Sequence, residues 1–371
     1  MYNRQLMLLS DFHYELPADS IAQRPSAERG GSRMLVLERQ SETYTDHMFA
    51  ELPDLLRGDE LLVVNNTKVI PARLFGTRAG VRAEIHGKRA PGGNFLGSKI
   101  EVLLVRQLEK DVWEALVRPG KKIRIGERLL FAGADLQAEV IGRGELGLRQ
   151  LRFYSSGDVW AAIESVGHVP LPPYIRRPDE PADRERYQTV YAARPGSVAA
   201  PTAGLHFTSA MLERLKQRGI EMCEITLDVG LGTFQPIHAE NLDDHQIHSE
   251  SYEISADAAA ALGGARRARR PILAVGTTAV RALEDAAQKA EAAGRAPDAV
   301  SAGRATANIF LRPGHRFALV DQMLTNFHLP CSTLLVLVAA FSGREFTLAA
   351  YRHAVAAGYR FYSYGDCMLI R

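Results

Sequence analysis

The chain has 371 residues, of which 46% are hydrophobic, a formal net charge of +2 and three cysteines. This composition predicts a soluble globular protein, better divided into two domains than one, and the scattered cysteines exclude a CxxC motif, a disulfide framework and a cysteine-ligated iron–sulfur cluster. The longest purely apolar run, residues 334–341, is shorter than the roughly 20 residues that span a bilayer, and no signal-peptide segment is visible, so we expect a cytoplasmic location.

The first 72 residues have mixed α/β character. The segment ADSIAQRPSAERG, residues 18–30, is turn-like, and RMLVLER, residues 33–39, predicts a strand. Residues 60–74, ELLVVNNTKVIPARL, predict a buried strand that runs into a polar Asn-Asn-Thr turn. We therefore expect the chain to begin with an α/β unit.

Residues 73–157 differ in composition. Short β-rich runs are separated by Gly or Pro turns, with a Gly-rich hairpin loop at 80–98, and this pattern predicts a small barrel or sandwich. Residues 73–152 carry 16 Lys plus Arg against 9 Asp plus Glu, a net charge of +7, which leaves about −5 for the remaining chain. The asymmetry is typical of a docking surface for a polyanion, although an ordinary Arg-rich strand surface gives the same count.

After Asp158 helical and strand patterns alternate. The helical patterns lie at 158–167, 209–219, 255–270, 278–294, 332–343 and 346–358, and the strand patterns at 220–230, 271–278, 305–314 and 359–370. Alternation of this kind favours a layered domain with a partly parallel sheet. We therefore predict an α/β layered main domain, residues 1–72 plus 158–371, with an inserted small antiparallel β-barrel domain, residues 73–157.

The stretch VAAPTAGLHFT, residues 198–208, contains a single ionisable side chain, His206. Its small and apolar neighbours favour a place in the core. However, the stretch leads into a helix capped near Thr208, and side chains alternate along an extended loop. We therefore expect Thr202 and His206 to face a cleft at the N-terminus of that helix.

A glycine-rich segment, LDVGLGTF at residues 227–234, follows a predicted strand. It resembles the loop of AdoMet-dependent methyltransferases, but Phe234 occupies the third glycine position and Pro236 stands where a helix should open. The glycines still permit close backbone approach to a flat ligand. Asp228 is either a ligand contact or a turn-former.

A strand, a turn and a helix start are predicted at AVGTTAVRALE, residues 274–284. Free N–H groups and hydroxyls at Gly276, Thr277 and Thr278 would form an anion site there, with Arg281 one turn inside the helix. The alternative is that Thr277 merely caps the helix.

The segment DDHQIHSESYEI, residues 243–254, brings His245, His248 and Glu250 close together in sequence. Their side chains need not converge in an extended segment, so a metal site is disfavoured. Acid/base catalysis or hydrogen bonding to a substrate suits histidines near neutral pKa better.

Two segments near the C-terminus also carry candidates. LTNFHLPCST presents Asn326 and His328 just before a buried helix, where sites are often built, although loop packing explains them equally well. The aromatic run YRFYSYGD, residues 359–366, would either stack on RNA bases or bury half of its rings in the core.

Taken together, these segments resemble one family, the S-adenosylmethionine:tRNA ribosyltransferase-isomerases of queuosine biosynthesis. The resemblance extends from Asp11 to Ile370 and departs from the family pattern in the long 80–98 segment and at Gly30 and Gly31. It is carried by DFHYELP, IAQRP, LVVNNTKVIPARLFG, HVPLPPYI, YQTVYA, VAAPTAGLHF, VGLGTFQPI, HSESYEI, AVGTTAVRALE, LTNFHLPCSTLLVLV and YRFYSYGDCMLI.

The resemblance implies a monomer that consumes S-adenosylmethionine as a ribosyl donor and needs no other cofactor and no metal. The implied acceptor is the aminomethyl group of 7-aminomethyl-7-deazaguanine at the wobble position of a tRNA anticodon. The implied products are epoxyqueuosine-tRNA, adenine and methionine. An AdoMet-dependent tRNA methyltransferase and a non-catalytic tRNA-binding protein remain the alternatives.

Such chemistry needs a base, a proton donor for adenine and an anion site for the methionine carboxylate. The acid/base candidates are His206, His248, Glu250, His328 and Asp228. The substrate-binding candidates are Asn65, Asn66, Thr67, Arg73, Thr202, Gly204, Gly230, Gly232, Thr233, Phe234, Gly276, Thr277, Thr278, Arg281, Asn326 and Tyr364. The candidate phosphate contacts with tRNA are Arg118, Lys121, Lys122 and Arg124.

Overall fold

The computed structural model describes residues 7–81, 98–144, 147–228, 239–245, 247 and 249–371. These residues form a nine-stranded sheet, a closed barrel and a two-stranded sheet. The N-terminal segment contributes β1 (Arg33–Glu38), β2 (Thr43–Met48), α1 (Leu52–Leu55), β3 (Leu61–Asn65) and β4 (Thr67–Val69). Every residue of β3 is buried, as expected for an apolar run in a strand that is covered on both faces.

The barrel follows directly. It consists of β5 (Arg73–Val81), β6 (Lys99–Glu109), β7 (Val112–Arg118), β8 (Glu127–Phe131), β9 (Leu136–Arg143) and β10 (Arg149–Tyr154). All its strand pairs are antiparallel. Alternate residues of β8, β9 and β10 are buried, which is the pattern of a barrel whose interior is filled by side chains.

The chain enters and leaves the barrel at one place. Arg73 and His168 exchange backbone hydrogen bonds there, with N–O distances of 3.2 and 2.8 Å. Gly167 is needed beside this crossing, because a Cβ atom on it would lie 2.2 Å from the carbonyl oxygen of Pro71.

The remaining elements belong mainly to the large sheet and its helices. They are α2 (Val159–Val166), α3 (Asp183–Arg186), β11 (Arg194–Ser197), α4 (Ser209–Gln217), β12 (Glu221–Leu227), β13 (Glu250–Ile254), α5 (Ala256–Arg267), β14 (Ile272–Val275), α6 (Thr277–Ala292), β15 (Gly303–Ala307), β16 (Gln322–Asn326), α7 (Thr333–Ser342), α8 (Arg344–Ala356) and β17 (Cys367–Ile370). Asp158, Thr208 and Ser332 cap α2, α4 and α7 by accepting backbone N–H groups at 2.7, 3.1 and 3.2 Å.

The large sheet has the order β15-β13-β12-β3-β14-β16-β17-β1-β2. Its neighbouring strands β12, β3, β14 and β16 are parallel, so their carboxyl ends meet at one edge. Leu61 and Val63 of β3 pack with residues of α5 to α8, whereas Leu62 and Val64 pack with residues of α4. The alternation along β3 thus separates two helix layers, one on each face of the sheet.

The predicted fold class, an α/β layered unit with a small antiparallel barrel, is confirmed. Residues 359–370 differ from the expected strand: only β17 is a strand, and the aromatic run is a tight turn. Tyr362 has φ of +74° in that turn, and a Cβ atom on Gly365 would lie 2.4 Å from the carbonyl oxygen of Arg360. Likewise, the strand predicted at 305–314 is β15, which ends at Ala307.

No single helix in the described part of the chain has the length and apolar character needed to cross a membrane. The consecutive helices α7 and α8 satisfy the same criteria only when taken together, and they are bent by 115° relative to each other.

Candidate active site

A cavity of about 390 Å³ lies at the carboxyl ends of β14 and β16. Its wall includes the first residues of α6, the end of β16 and the loop after it, residues 200–203, and the pairs 173–174 and 362–363. Ligand sites of sheets with parallel strands form at this edge. The cavity is therefore the candidate active site.

Four of the segments singled out in the sequence meet in this cavity. Residues of the 198–208, 274–284, 324–333 and 359–366 segments form its wall, although they are far apart in the chain. The predicted site residues among them are Thr202, Gly276, Thr277, Thr278, Asn326 and His328. Strand order in the sheet explains the meeting, because β14 and β16 are hydrogen-bonded neighbours.

The start of α6 forms one side of the wall. Gly276 precedes the helix with φ of +90° and provides no side-chain cap, whereas Thr277 lies inside the first turn. Thr277 therefore does not cap the helix. The first-turn N–H groups of an uncapped helix are available to an anion.

His328, in the loop after β16, also lines the cavity and is buried. Its Nε2 atom is 2.9 Å from the Oγ1 atom of Thr325, and its backbone carbonyl accepts the hydroxyl of Tyr14. Burial lowers the pKa of His328 to about 3. The imidazole is therefore neutral at physiological pH and can exchange hydrogen bonds without carrying charge.

His206 lies behind the cavity wall. The segment Thr202–His206 is a 3-10 helix and not the extended loop that we expected, so its side chains do not alternate between two sides. Thr202 lines the cavity, but His206 is buried between Ser32 and Asn326, with distances of 2.9 Å from Nδ1 to Ser32 Oγ and 3.2 Å from Nε2 to Asn326 Nδ2.

Two predicted residues pair with each other. Glu250 at the start of β13 and Arg281 in α6 form an ion pair, and both side chains are buried. Neither belongs to the lining of the cavity described above. The pair ties α6 to β13, and Glu250 compensates the positive charge that we predicted for an anion site.

The polar residues after β3 bond to other parts of the protein. Asn65 accepts the backbone N–H groups of Thr67 and Leu227 at 3.1 and 3.0 Å and donates to the carbonyl oxygen of Leu227 at 2.9 Å. The Asn66 side chain bonds to two side chains of β12, at 2.9 and 2.7 Å. These asparagines join the strand ends and do not line the cavity.

Asp228 follows β12 at the same edge of the sheet. Loss of water around its carboxylate raises the pKa of Asp228, against the lowering effects of Arg304 and of the nearby Thr67 side chain. A raised pKa makes this carboxylate a stronger base than an ordinary aspartate.

Three other candidates serve the packing around the site. Gly204 packs against Tyr191 so closely that a Cβ atom on residue 204 would lie 2.1 Å from the tyrosine hydroxyl. The buried Tyr364 donates its hydroxyl to Asp183 at 2.7 Å, and Arg73 donates to the carbonyl oxygen of Leu171 at 3.1 Å.

The predicted tRNA contacts lie on the exposed face of the barrel. Arg118, Lys121, Lys122 and Arg124 are all exposed. Two arginine side chains hold the backbone of their loop in place. Arg149 donates to the carbonyl oxygen of Gly120 at 2.9 Å, and Arg78 donates to that of Lys122 at 2.9 Å. Arg118 also lines a second cavity of about 190 Å³, together with Arg73 and Pro173, and Pro173 lines the candidate active site as well.

Some predicted residues lie outside the described part of the chain. They are His248, Gly230, Gly232, Thr233 and Phe234. Among the described residues, no group of three or more His, Cys, Asp and Glu side chains is arranged to hold a metal ion.

The structure also adds residues that the sequence did not single out. Tyr174 and Ser363 line the cavity, and their hydroxyl oxygens are 2.5 Å apart. Ser32 contacts His206 from behind the wall. Tyr174 and Ser363 lie within segments used for the family resemblance, but no local spacing linked these three residues to the loop after β16.

Comparisons with known proteins agree with this architecture. The family model described as "Queuosine biosynthesis protein" matches residues 9–370. A relative from Solibacter usitatus, named S-adenosylmethionine:tRNA ribosyltransferase-isomerase, is 53% identical over 98% of this chain and 100% of its own length. A relative of the same name from Moorella thermoacetica is 48% identical over 98% of this chain and 100% of its own length.

A solved structure is also similar. The crystal structure of the S-adenosylmethionine tRNA ribosyltransferase from Thermotoga maritima is 35% identical, with a TM-score of 0.51, over 98% of this chain and 100% of that chain. Since both the family model and the relatives cover almost the whole length, the chain belongs to the queuosine biosynthesis protein family, among the S-adenosylmethionine:tRNA ribosyltransferase-isomerases.

Proposed function

We propose that the protein transfers and isomerises the ribosyl group of S-adenosylmethionine onto the 7-aminomethyl group of 7-aminomethyl-7-deazaguanine in tRNA. The products are epoxyqueuosine-tRNA, adenine and methionine. The observation that carries this proposal is the cavity at the carboxyl edge of the sheet, where the start of α6, Thr202 and the loop after β16 meet in a member of this family. S-adenosylmethionine is consumed as a co-substrate, and the reaction needs no further cofactor and no metal.

The chemistry determines what the cavity must supply. The sulfonium acidifies the neighbouring C5′ hydrogens, so that a base forms an ylide, adenine leaves as the ribose ring opens, and the acceptor amine adds. An alkoxide then closes the epoxide and expels methionine. The wall of the cavity is largely apolar, and polar contacts with these charged species are stronger in apolar surroundings than in water.

The methionine carboxylate is assigned to the start of α6. Gly276, Thr277 and Thr278 line the cavity there, and the helix dipole favours an anion at that end. Arg281 lies one turn further in, and Glu250 offsets its charge, so its part in the anion site is to hold the start of α6 in place through the ion pair with β13. Titration of an Arg281→Ala variant with S-adenosylmethionine tests this assignment, and unchanged affinity would refute it.

His328 is assigned to the hydrogen bond with departing adenine, because its neutral imidazole lies in the wall. The base is assigned to Asp228 or His248, because Glu250 is paired with Arg281 outside the cavity lining. Adenine release by single variants separates Asp228 from His248: a His248→Ala variant that keeps the parental rate would exclude His248.

The reaction itself is tested with S-adenosylmethionine and tRNA that carries the precursor base. Chromatography of the products should show adenine and methionine. A methyltransferase would release S-adenosylhomocysteine instead, and a tRNA-binding module without catalysis would consume no S-adenosylmethionine. Either of these outcomes would overturn the proposed function.

The barrel, assigned to residues 73–157, is the proposed tRNA-binding domain, beside a catalytic domain of residues 1–72 plus 158–371. Its exposed residues Arg118, Lys121, Lys122 and Arg124 would contact phosphates. Each lost phosphate contact reduces the slope of log affinity against log salt by about 0.7 to 0.9. Lys121→Glu combined with Arg124→Glu should therefore weaken tRNA binding and flatten its salt dependence, and an unchanged slope would refute the barrel as a clamp.

We also propose that the protein works as a cytoplasmic monomer. Sedimentation at micromolar concentration should give the mass of one 40.8 kDa chain. A concentration-dependent dimer that alone releases adenine would contradict the monomeric state.

A further inference from the structure

Two polar atoms in the cavity wall lack a hydrogen-bond partner. They are Asn326 Oδ1 and Thr278 Oγ1, which belong to side chains that are 2% and 7% exposed. Asn326 ends β16 and Thr278 lies in the first turn of α6, which follows β14, so the two residues lie at the carboxyl ends of neighbouring strands. An unpaired buried polar atom is costly, and its occurrence beside a cavity indicates a ligand that supplies the missing partner.

The orientation of the Asn326 amide is fixed by its surroundings. Its Nδ2 atom donates to the carbonyl oxygen of Tyr362 at 3.0 Å and lies 3.4 Å from that of Asp366. Rotating the amide by 180° would place Oδ1 against these two oxygens, which cannot donate. Oδ1 is therefore an acceptor on the side of the amide that is turned away from both carbonyls.

His206 completes the orientation. Because Asn326 Nδ2 also donates to His206 Nε2 at 3.2 Å, the proton of the imidazole lies on Nδ1, which donates to Ser32 Oγ at 2.9 Å. Burial lowers the pKa of His206 to about 4, so Nε2 keeps its lone pair at neutral pH. Phe49 packs against the ring with a centroid distance of 5.3 Å and holds it in place.

We propose that Ser32, His206 and Asn326 form a positioning chain that presents the Asn326 carbonyl oxygen, beside the Thr278 hydroxyl, as the acceptor for an amino group of the co-substrate. Asn326 contacts the ligand, whereas Ser32 and His206 act through it as positioning residues. The proposal rests on the proposed function. S-adenosylmethionine offers two amino groups of the required chemistry, the exocyclic amine of adenine and the α-ammonium of methionine.

The test measures the dissociation constants of S-adenosylmethionine and of two analogues without tRNA. One analogue lacks the adenine 6-amino group, and the other lacks the α-ammonium group. Asn326→Leu, which keeps the side-chain volume, should weaken S-adenosylmethionine binding about tenfold or more, since a buried donor of the ligand loses its acceptor. The analogue that lacks the recognised amino group should bind the variant and the parent equally, and the other analogue should show the full loss.

A second pair of variants tests the positioning chain. Ser32→Ala should weaken S-adenosylmethionine binding selectively for the same amino group, and Ser32→Thr, which keeps the hydroxyl, should restore it. If Asn326→Leu does not fold, the Ser32→Ala and Ser32→Thr variants still test the proposal. A Ser32→Ala variant with parental affinity for all three compounds would overturn the positioning chain.

Equal losses for S-adenosylmethionine and both analogues in Asn326→Leu would show a merely structural role and overturn the acceptor assignment. Adenine release by the unmodified protein with precursor tRNA is measured in parallel. Its absence would overturn the proposed function, whereas adenine release combined with equal losses would overturn this inference alone.

Discussion

Acidification should destabilise the protein through His206. Burial lowers the pKa of His206 to about 4 in the folded state, against an ordinary value of 6.5. Between these two pH values the unfolded chain binds a proton that the folded chain rejects. The contribution of the neutral His206 to the free energy of unfolding is therefore fully present above pH 6.5 and is lost as the pH falls from about 6.5 towards 4.

The magnitude follows from the two pKa values. At pH 5, protonation stabilises an unfolded histidine with a pKa of 6.5 by about 2 kcal/mol, whereas His206 in the folded state gains about 0.1 kcal/mol. His206 alone should thus reduce the free energy of unfolding by about 2 kcal/mol between pH 7.5 and pH 5. His328, whose pKa burial lowers to about 3, adds a loss of the same sign.

Urea unfolding at pH 7.5 and pH 5 measures this difference. His206→Gln should shrink the pH-dependent loss by about 2 kcal/mol relative to the parent, because glutamine does not titrate. His13→Gln is the matched control, since His13 is exposed and its replacement should leave the loss unchanged. If His206→Gln shows the parental loss, burial does not hold His206 neutral, and the part of the Asn326 orientation that depends on His206 loses its support.

The remaining predictions concern stability and are measured by urea unfolding at pH 7.5. Glu250→Gln or Arg281→Met alone should cost about 3–5 kcal/mol, because one buried charge loses its partner, and the double variant should recover part of that loss; additive losses would contradict a coupled pair. Gly204→Ala should cost about 1–3 kcal/mol, since its Cβ atom would lie 2.1 Å from the Tyr191 hydroxyl, and adding Tyr191→Phe should restore part of it; no restoration would place the clash elsewhere. Thr208→Ala should cost about 1 kcal/mol through loss of the α4 cap, whereas Thr208→Ser should be nearly neutral; equal losses would exclude the cap as the cause.

The elements with regular periodicity were predictable from the sequence. The β-rich run after Arg73 and the helix–strand alternation after Asp158 indicated the barrel and the layered sheet, because burial of every second residue or of one helix face leaves a local pattern. The cap at Thr208 was likewise a local signal and is observed at the start of α4.

The candidate site was predictable only as a set of segments. That 274–284 and 324–333 carry polar residues after strands is local information, but their meeting depends on β14 and β16 being neighbours, which no local pattern encodes. Asn65 shows that a polar residue after a strand need not belong to the site. A polar residue at the end of a buried strand looks the same in sequence whether it binds a ligand or, as here, the backbone of β12.

The paired backbone at Arg73 and His168 has an evolutionary consequence. The chain leaves the sheet domain and returns to it at one hydrogen-bonded point. For the sheet domain, the barrel is therefore equivalent to a long loop whose two ends are held together. Doubling the length of a closed loop costs only about 0.6 kcal/mol in chain entropy. The sheet domain can therefore accommodate insertions and deletions in the barrel, our proposed tRNA-binding domain, at little cost, so the barrel and the residues around the cavity can change at different rates.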